Sequence, residues 1–449
     1  MREASAVVAY RPIPRGLAGL GLALVLAACV GTPPATSTQP PTSAGPSLGP
    51  ATPNPTSIET ALPTGGVGPT SLVWTPIGRV GIDGTFQGLA ASTVGYAVLQ
   101  LRNKIHFSKD GVSWQTIDLP FAMTIPRTSD DNVGPFADAI TATQSGFIVV
   151  GGYRHEPCAS STGDGGGAPC PELPLSWVSA DGVTWASSIS RKPPTDTSGK
   201  ALAGELTSAW WDGSAWLATV ENRDRVTDQA IAVVRSTDGL TWQTLPAPPR
   251  PLGRPGDDLA NEHAGLSDQL GGSVVWQVWD EGSSPWVPLS TVVRTTDQGA
   301  SWVAMPAFDG SNSMVTFGIG PANPAGPWVL AGQRDPGGAQ TATLWIAGPD
   351  GGFAVRTLDP NKGDDRPVIS GLAHDGNGFA VIARVGRRDD GSDVIATWTS
   401  GFGTTWARMA DLSNPTEIQS VLLADGPSGP VMGAEGVDNT VELFVGTPG

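Results

Sequence analysis

The stretch STDGLTW, residues 236–242, sits between two runs that read as strands, AIAVVR (230–235) and QTLPAP (243–248). Close variants of it recur: SKDGVSW begins at residue 108, SADGVTW at 179 and TTDQGASW at 295. Each copy has the chemistry of a tight hairpin turn. Gly239 supplies the left-handed backbone that the turn requires. Ser236 and Asp238 carry side-chain oxygens able to accept from exposed turn amides. Trp242 opens the outgoing strand and lays its ring over the turn. A phrase recurring at this interval points to a repeat architecture rather than to a catalytic motif.

The text between the copies supports that reading. Ahead of each turn lies a pair of apolar runs joined by a polar or Gly-containing turn, such as FQGLAASTVGYAVLQL (86–101) and VISGLAHDGNGFAVIA (368–383). Strand, turn, strand, then the hairpin makes four strands per repeat. A seventh pair at 418–436 is followed by TVELFVG (440–446), and LVWTPIGRV (72–80) has the Trp-then-apolar look of an outgoing strand. The expectation is an all-β, seven-bladed β-propeller of four-stranded blades, closed by strand 72–80 against 440–446, with six blades as the alternative. Closure removes the exposed sheet edges that invite aggregation.

The turn pattern resembles the Asp-box, or bacterial neuraminidase repeat. It is carried by Ser108, Asp110, Gly111 and Trp114; by Ser179, Asp181, Gly182 and Trp185; by Ser236, Asp238, Gly239 and Trp242; and by Thr295, Asp297, Gly299 and Trp302. Two worn copies follow, GPDGGF (348–353) and TSGFGTTW (399–406). The resemblance implies the sialidase or sortilin-like propeller superfamily, with the turn between third and fourth strands and away from the ligand face. A sialidase of this class would bring three arginines, a tyrosine nucleophile with a glutamate, and an acidic aspartate. Here YRPIPRG (10–16) is a scrambled echo of the family's Arg-Ile-Pro motif. Beyond the leader only Tyr96 and Tyr153 remain as tyrosines.

The N-terminus reads as an export signal. Arg11 and Arg15 precede GLAGLGLALVLAA (16–28), an apolar run too short to span a bilayer. It ends in LAAC, which resembles the bacterial lipobox, so residues 1–28 are assigned as a lipoprotein signal and Cys29 as the lipidated residue. From 29 to 70 the chain is mostly Pro, Thr, Ser, Gly and Ala, the composition of a disordered tether. Residues 71–449 form the propeller. Cys158 and Cys170 are expected to form a disulfide in an oxidising compartment, with a metal site beside His155 as the weaker alternative. The formal charge of −16 and the low charged fraction of 15% argue against nucleic-acid binding.

The candidate ligand face lies opposite the repeat turns. Arg102, Arg154, Arg223, Arg334 and Arg384 close second strands in five repeats, and Tyr153 stands beside Arg154; guanidinium groups around a channel mouth would clamp an anion. Local ion pairs with acidic neighbours are the competing reading. Several tryptophans, among them Trp210, Trp211, Trp216 and Trp328, read either as inter-blade packing or as a sugar platform. DPNKGDD (359–365) lacks the ligand set of a calcium loop. No cofactor, metal or catalytic set is expected. The functional expectation is a monomeric, lipid-anchored extracytoplasmic module binding an envelope protein or glycan without catalysis. The alternative is a sialidase-like glycoside hydrolase or carbohydrate-binding protein.

Overall fold

The computed structural model describes residues 71–449 apart from 102, 122–133, 155–171, 196–198, 222–230, 247–261, 264–272, 281–286, 296, 298, 305–312, 320–326, 335–340, 348–352, 359–366, 375–377, 388–392, 402, 404 and 415–417. The described strands form an all-β β-propeller. Blades one to six are built from uninterrupted chain: residues 86–118, 134–187, 205–244, 262–304, 313–357 and 368–408. In each, consecutive antiparallel strands follow one another across the sheet, and first strands of neighbouring sheets pack on one another as the innermost layer. A further sheet joins the strands Ile418–Ala424, Val431–Gly436 and Thr440–Pro448 to Leu72–Gly81 from the other end of the described chain.

The expectation of a seven-bladed propeller is corrected to the alternative of six: six blades are each built from one uninterrupted stretch of chain, while the pairing of Leu72–Gly81 with Thr440–Pro448 that joins the circuit stands as expected. Blade six is also not four-stranded: Leu412–Asn414 pairs with its third strand, Asp393–Ser400, as a fifth member. There Arg408 holds Asp411 through Nη2 at 2.8 Å, folding the chain back toward that strand. An added short strand covers part of an outer edge, a common way to blunt one.

The sequence explains the layering. Second strands such as GYAVLQ (95–100) and WLATVE (216–221) are buried almost throughout because both faces meet neighbouring sheets. The apolar core is therefore a series of wedges between blades. Leu99 and Phe107 of blade one pack with Phe147 and Trp177 of blade two. Ile148 of blade two meets Leu206 and Ala218 of blade three, and Leu217 of blade three meets Val293 of blade four. Blades four and five touch through Val287–Arg294 and Ser313–Ile319. Leu344 and Trp398 join five to six, Ile382 and Met432 join six to the composite sheet, and Leu443 and Phe86 return to blade one. The circuit is complete.

First strands share a feature that periodicity does not reveal. In six of them, among the described residues, the pairing register slips by one residue near the strand's start. The residues left out of the ladder are Gln87, Asp138, Thr207, Thr316, Ser370 and Gln419. A bulge breaks pairing and re-aims a side chain.

Candidate functional site

The repeat turns lie between third and fourth strands and are made as their residue types dictate. In blade two the Ser179 hydroxyl accepts from the Gly182 amide at 2.9 Å and donates to Asp181 Oδ1 at 3.1 Å. Asp181 Oδ1 also accepts from Val183 and Thr184 amides at 2.8 and 2.6 Å. Trp185 closes the loop, its Nε1 donating to the Gly182 carbonyl at 3.1 Å. Blades one and three repeat the carboxylate contacts with Asp110 and Asp238. In blade four, Thr295 and Asp297 do the same across one extra residue. Gly401 removes the carboxylate in the worn copy of blade six, yet Trp406 Nε1 still reaches the Gly403 carbonyl at 2.7 Å. The other worn copy, 348–353, falls outside the described residues except for Phe353.

These turns also tie blades together. A Cβ on Gly182 would lie 2.1 Å from Phe107 of blade one, on Gly239 2.5 Å from Val178 of blade two, and on Gly299 2.3 Å from Leu245 of blade three. Trp302 Nε1 donates across to the Pro246 carbonyl at 3.0 Å. Each turn therefore seats against the preceding blade.

The turn carboxylates carry a pH dependence. Amide donation from Thr184 and Val183 lowers the pKa of Asp181 to about 2, and Ser301 lowers that of Asp297 to about 2. Burial raises Asp238, but the Thr241 and Leu240 amides outweigh it and leave it at about 2. Donation from Ser113 and Val112 lowers Asp110 as well. A carboxyl whose pKa falls on folding stabilises fully above its unfolded value, about 3.9, and loses that contribution as pH drops through the folded value. Urea midpoints are therefore expected to hold steady down to roughly pH 4–5 and then fall toward pH 2. Asp181→Asn should shallow that fall; an unchanged acid limb would contradict the assignment.

On the opposite face, the described members of the candidate set act between strands and blades. Arg154 is ion-paired with buried Glu172, with Nε 3.1 Å from Oε1, and its guanidinium lies 5.3 Å over the Phe136 ring. Tyr153 is 4% exposed, its ring 5.0 Å from Phe121. Arg384 Nη1 donates to the Ile418 carbonyl at 3.2 Å, reaching the composite sheet. Arg334 is half-buried at the end of its strand. Arg102, Arg223, Cys29, Cys158, Cys170, the 1–28 and 29–70 segments and the 359–365 loop lie outside the described residues. Tyr96 is half-buried in blade one, where burial raises its pKa.

Other ties on this face carry no sequence signature. Glu435 is buried, accepting from the Phe86 amide at 3.3 Å and from Ser420 Oγ at 2.8 Å. Asn103, at φ 63°, donates from Nδ2 to the Pro135 carbonyl at 2.7 Å. An asparagine after a second strand, where the left-handed conformation is tolerated, was the one available cue. Of the tryptophans singled out, Trp210, Trp216 and Trp328 are buried, and Trp211 is exposed with its ring 5.2 Å edge-on from Trp216. Among the described residues, no three His, Cys, Asp or Glu side chains come together as metal ligands, and no helix is long and apolar enough to cross a membrane.

The fold and the cross-tied blades define a β-propeller. No family model matches the chain, and no curated protein matches it. Among solved structures it is similar to YCF48 bound to a D1 peptide, at 14% identity, covering 84% of this chain and 97% of that one with a TM-score of 0.45. It is similar also to the WD40 β-propeller domain of Doa1, at 8% identity, 83% and 96% coverage and a TM-score of 0.45. The N-terminal domain of Nup159 is a third, at 7% identity, 86% and 98% coverage and a TM-score of 0.42. Likeness at these identities concerns the fold alone.

Proposed function

We propose that this protein is a binding or assembly module, a rigid Asp-box-type propeller held outside the cytoplasm by a lipid on Cys29 and a 29–70 tether. One observation carries the reading: polar groups that a catalytic face would turn toward substrate are engaged within the scaffold. Tyr153 is buried against Phe121, Arg154 is paired with Glu172, and Arg384 and Glu435 bind the neighbouring sheet. A tyrosine nucleophile must reach an anomeric carbon, and a ring 4% exposed presents little surface to one. Such a scaffold is suited to displaying loops and edges of fixed geometry to a partner. The partner is an envelope protein or a glycan, met by a monomer and without cofactor.

The test is a glycan array and a fluorogenic glycoside panel on the full chain, alongside pull-down from envelope extract. Saturable capture of a glycan or protein without turnover is the expected result. Turnover that Tyr153→Phe abolishes would contradict it and favour the sialidase-like alternative. Incorporation of labelled palmitate that Cys29→Ser abolishes is the expected result for the anchor, because single-site acylation is the membrane attachment the leader implies.

A further inference from the structure

We propose that the six polar bulge residues of the first strands form a ring lining the propeller's central channel and bind a neutral, hydroxyl-rich ligand of the saccharide class. The proposal rests on the binding-module reading and names a ligand class and site for it. The residues are Gln87, Asp138, Thr207, Thr316, Ser370 and Gln419, and they recur at one structural position. Each belongs to an innermost strand whose second-strand partner occupies one edge and whose two faces meet neighbouring blades. The bulge takes its residue out of the ladder and re-aims its side chain, and the strand's remaining edge borders the channel.

Burial agrees with that placement. Along Phe86–Ser92 every residue is buried except Gln87, and along Glu205–Trp211 the interior exception is Thr207. Ser370 is half-buried between buried Ile369 and Gly371, while Thr316 and Gln419 are exposed. Solvent reaches these strands at the bulges.

The chemistry then limits the ligand. Three hydroxyls and two amides offer both donors and acceptors, and Asp138 adds an acceptor; Thr207 Oγ1 lies 3.0 Å from Thr219 Oγ1 and Ser370 Oγ donates to the Val368 carbonyl at 3.2 Å, which leaves each a lone pair for a ligand. None of the six described bulge residues is a cation, so an anionic ligand such as a sialic acid carboxylate would find no partner charge among them and a repelling Asp138. A saccharide presents many hydroxyls at varied angles, which suits mixed neutral partners.

Titration calorimetry of the full chain with neutral oligosaccharides, and with their sialylated counterparts, tests this. Thr316→Val and Gln419→Leu are near-isosteric changes at exposed positions, so unchanged melting is checked first for the double variant. Expected is binding of a neutral oligosaccharide that the double variant weakens by tenfold or more, with the sialylated form weaker for the wild-type chain. Neutral binding untouched by the double variant would overturn the ring while leaving the binding-module reading standing. Protein capture with no saccharide binding would do the same. Loss of both saccharide and protein binding in the wild-type chain would overturn both.

Discussion

Gly182→Ala is expected to lower the unfolding free energy by about 2–5 kcal/mol, and Gly213→Ala by about 1–2 kcal/mol. Both glycines have left-handed backbones, at φ 76° and 95°. They differ in surroundings. A Cβ on Gly213 meets nothing within 4 Å, whereas on Gly182 it lies 2.1 Å from Phe107 Cε2. Phe107 is 1% exposed and edge-to-face with Phe147, ring centroids 6.0 Å apart, so it has little room to yield. The excess of the first substitution over the second thus reports the seating of the turn in the preceding blade. Adding Phe107→Leu should recover part of that excess. Equal losses at the two positions, measured by urea unfolding, would mean that the turn serves its own hairpin only.

Removing residues 72–81 is the more severe change. That strand buries Leu72 and Val80, worth about 3–6 kcal/mol together before any hydrogen bond is counted. It also anchors its neighbours: Trp74 Nε1 donates to Thr397 Oγ1 of blade six at 2.9 Å, and Ile77 packs against Gly111 of blade one. Deletion bares the long edge of Thr440–Pro448, a template for pairing with another chain. The expected outcome is a melting temperature lower than that of any single substitution, with aggregation visible by light scattering. A monomeric deletion variant melting like the full chain would contradict this role.

The difference between what sequence conveyed and what it did not follows the range of each interaction. Asp181, Gly182 and Trp185 act within a single turn, so residue type and spacing were sufficient. Strand 72–81 was legible because Trp74 repeats the pattern that follows the hairpin turns. The partners of Arg154 and Arg384 were not, since strand register sets Glu172 opposite Arg154 within one blade and blade packing brings the Ile418 carbonyl to Arg384. Bulges escape notice for another reason: one extra residue in an apolar run leaves its pattern nearly unchanged, so Gln87 or Ser370 reads as an ordinary strand position. Leu412–Asn414 is too short to announce itself.

Joining of the two ends in one sheet is the claim on which the ring depends, and a cysteine pair tests it directly. Arg79 and Glu442 face each other across that joint, their side chains 3.1 Å apart. Facing positions of antiparallel strands fall within disulfide reach. Mild oxidation of Arg79→Cys/Glu442→Cys, followed by non-reducing peptide mapping, should yield an intrachain link between those two positions at high yield. Finding no such link, or only links between separate chains, would show that the ring is not closed in this way.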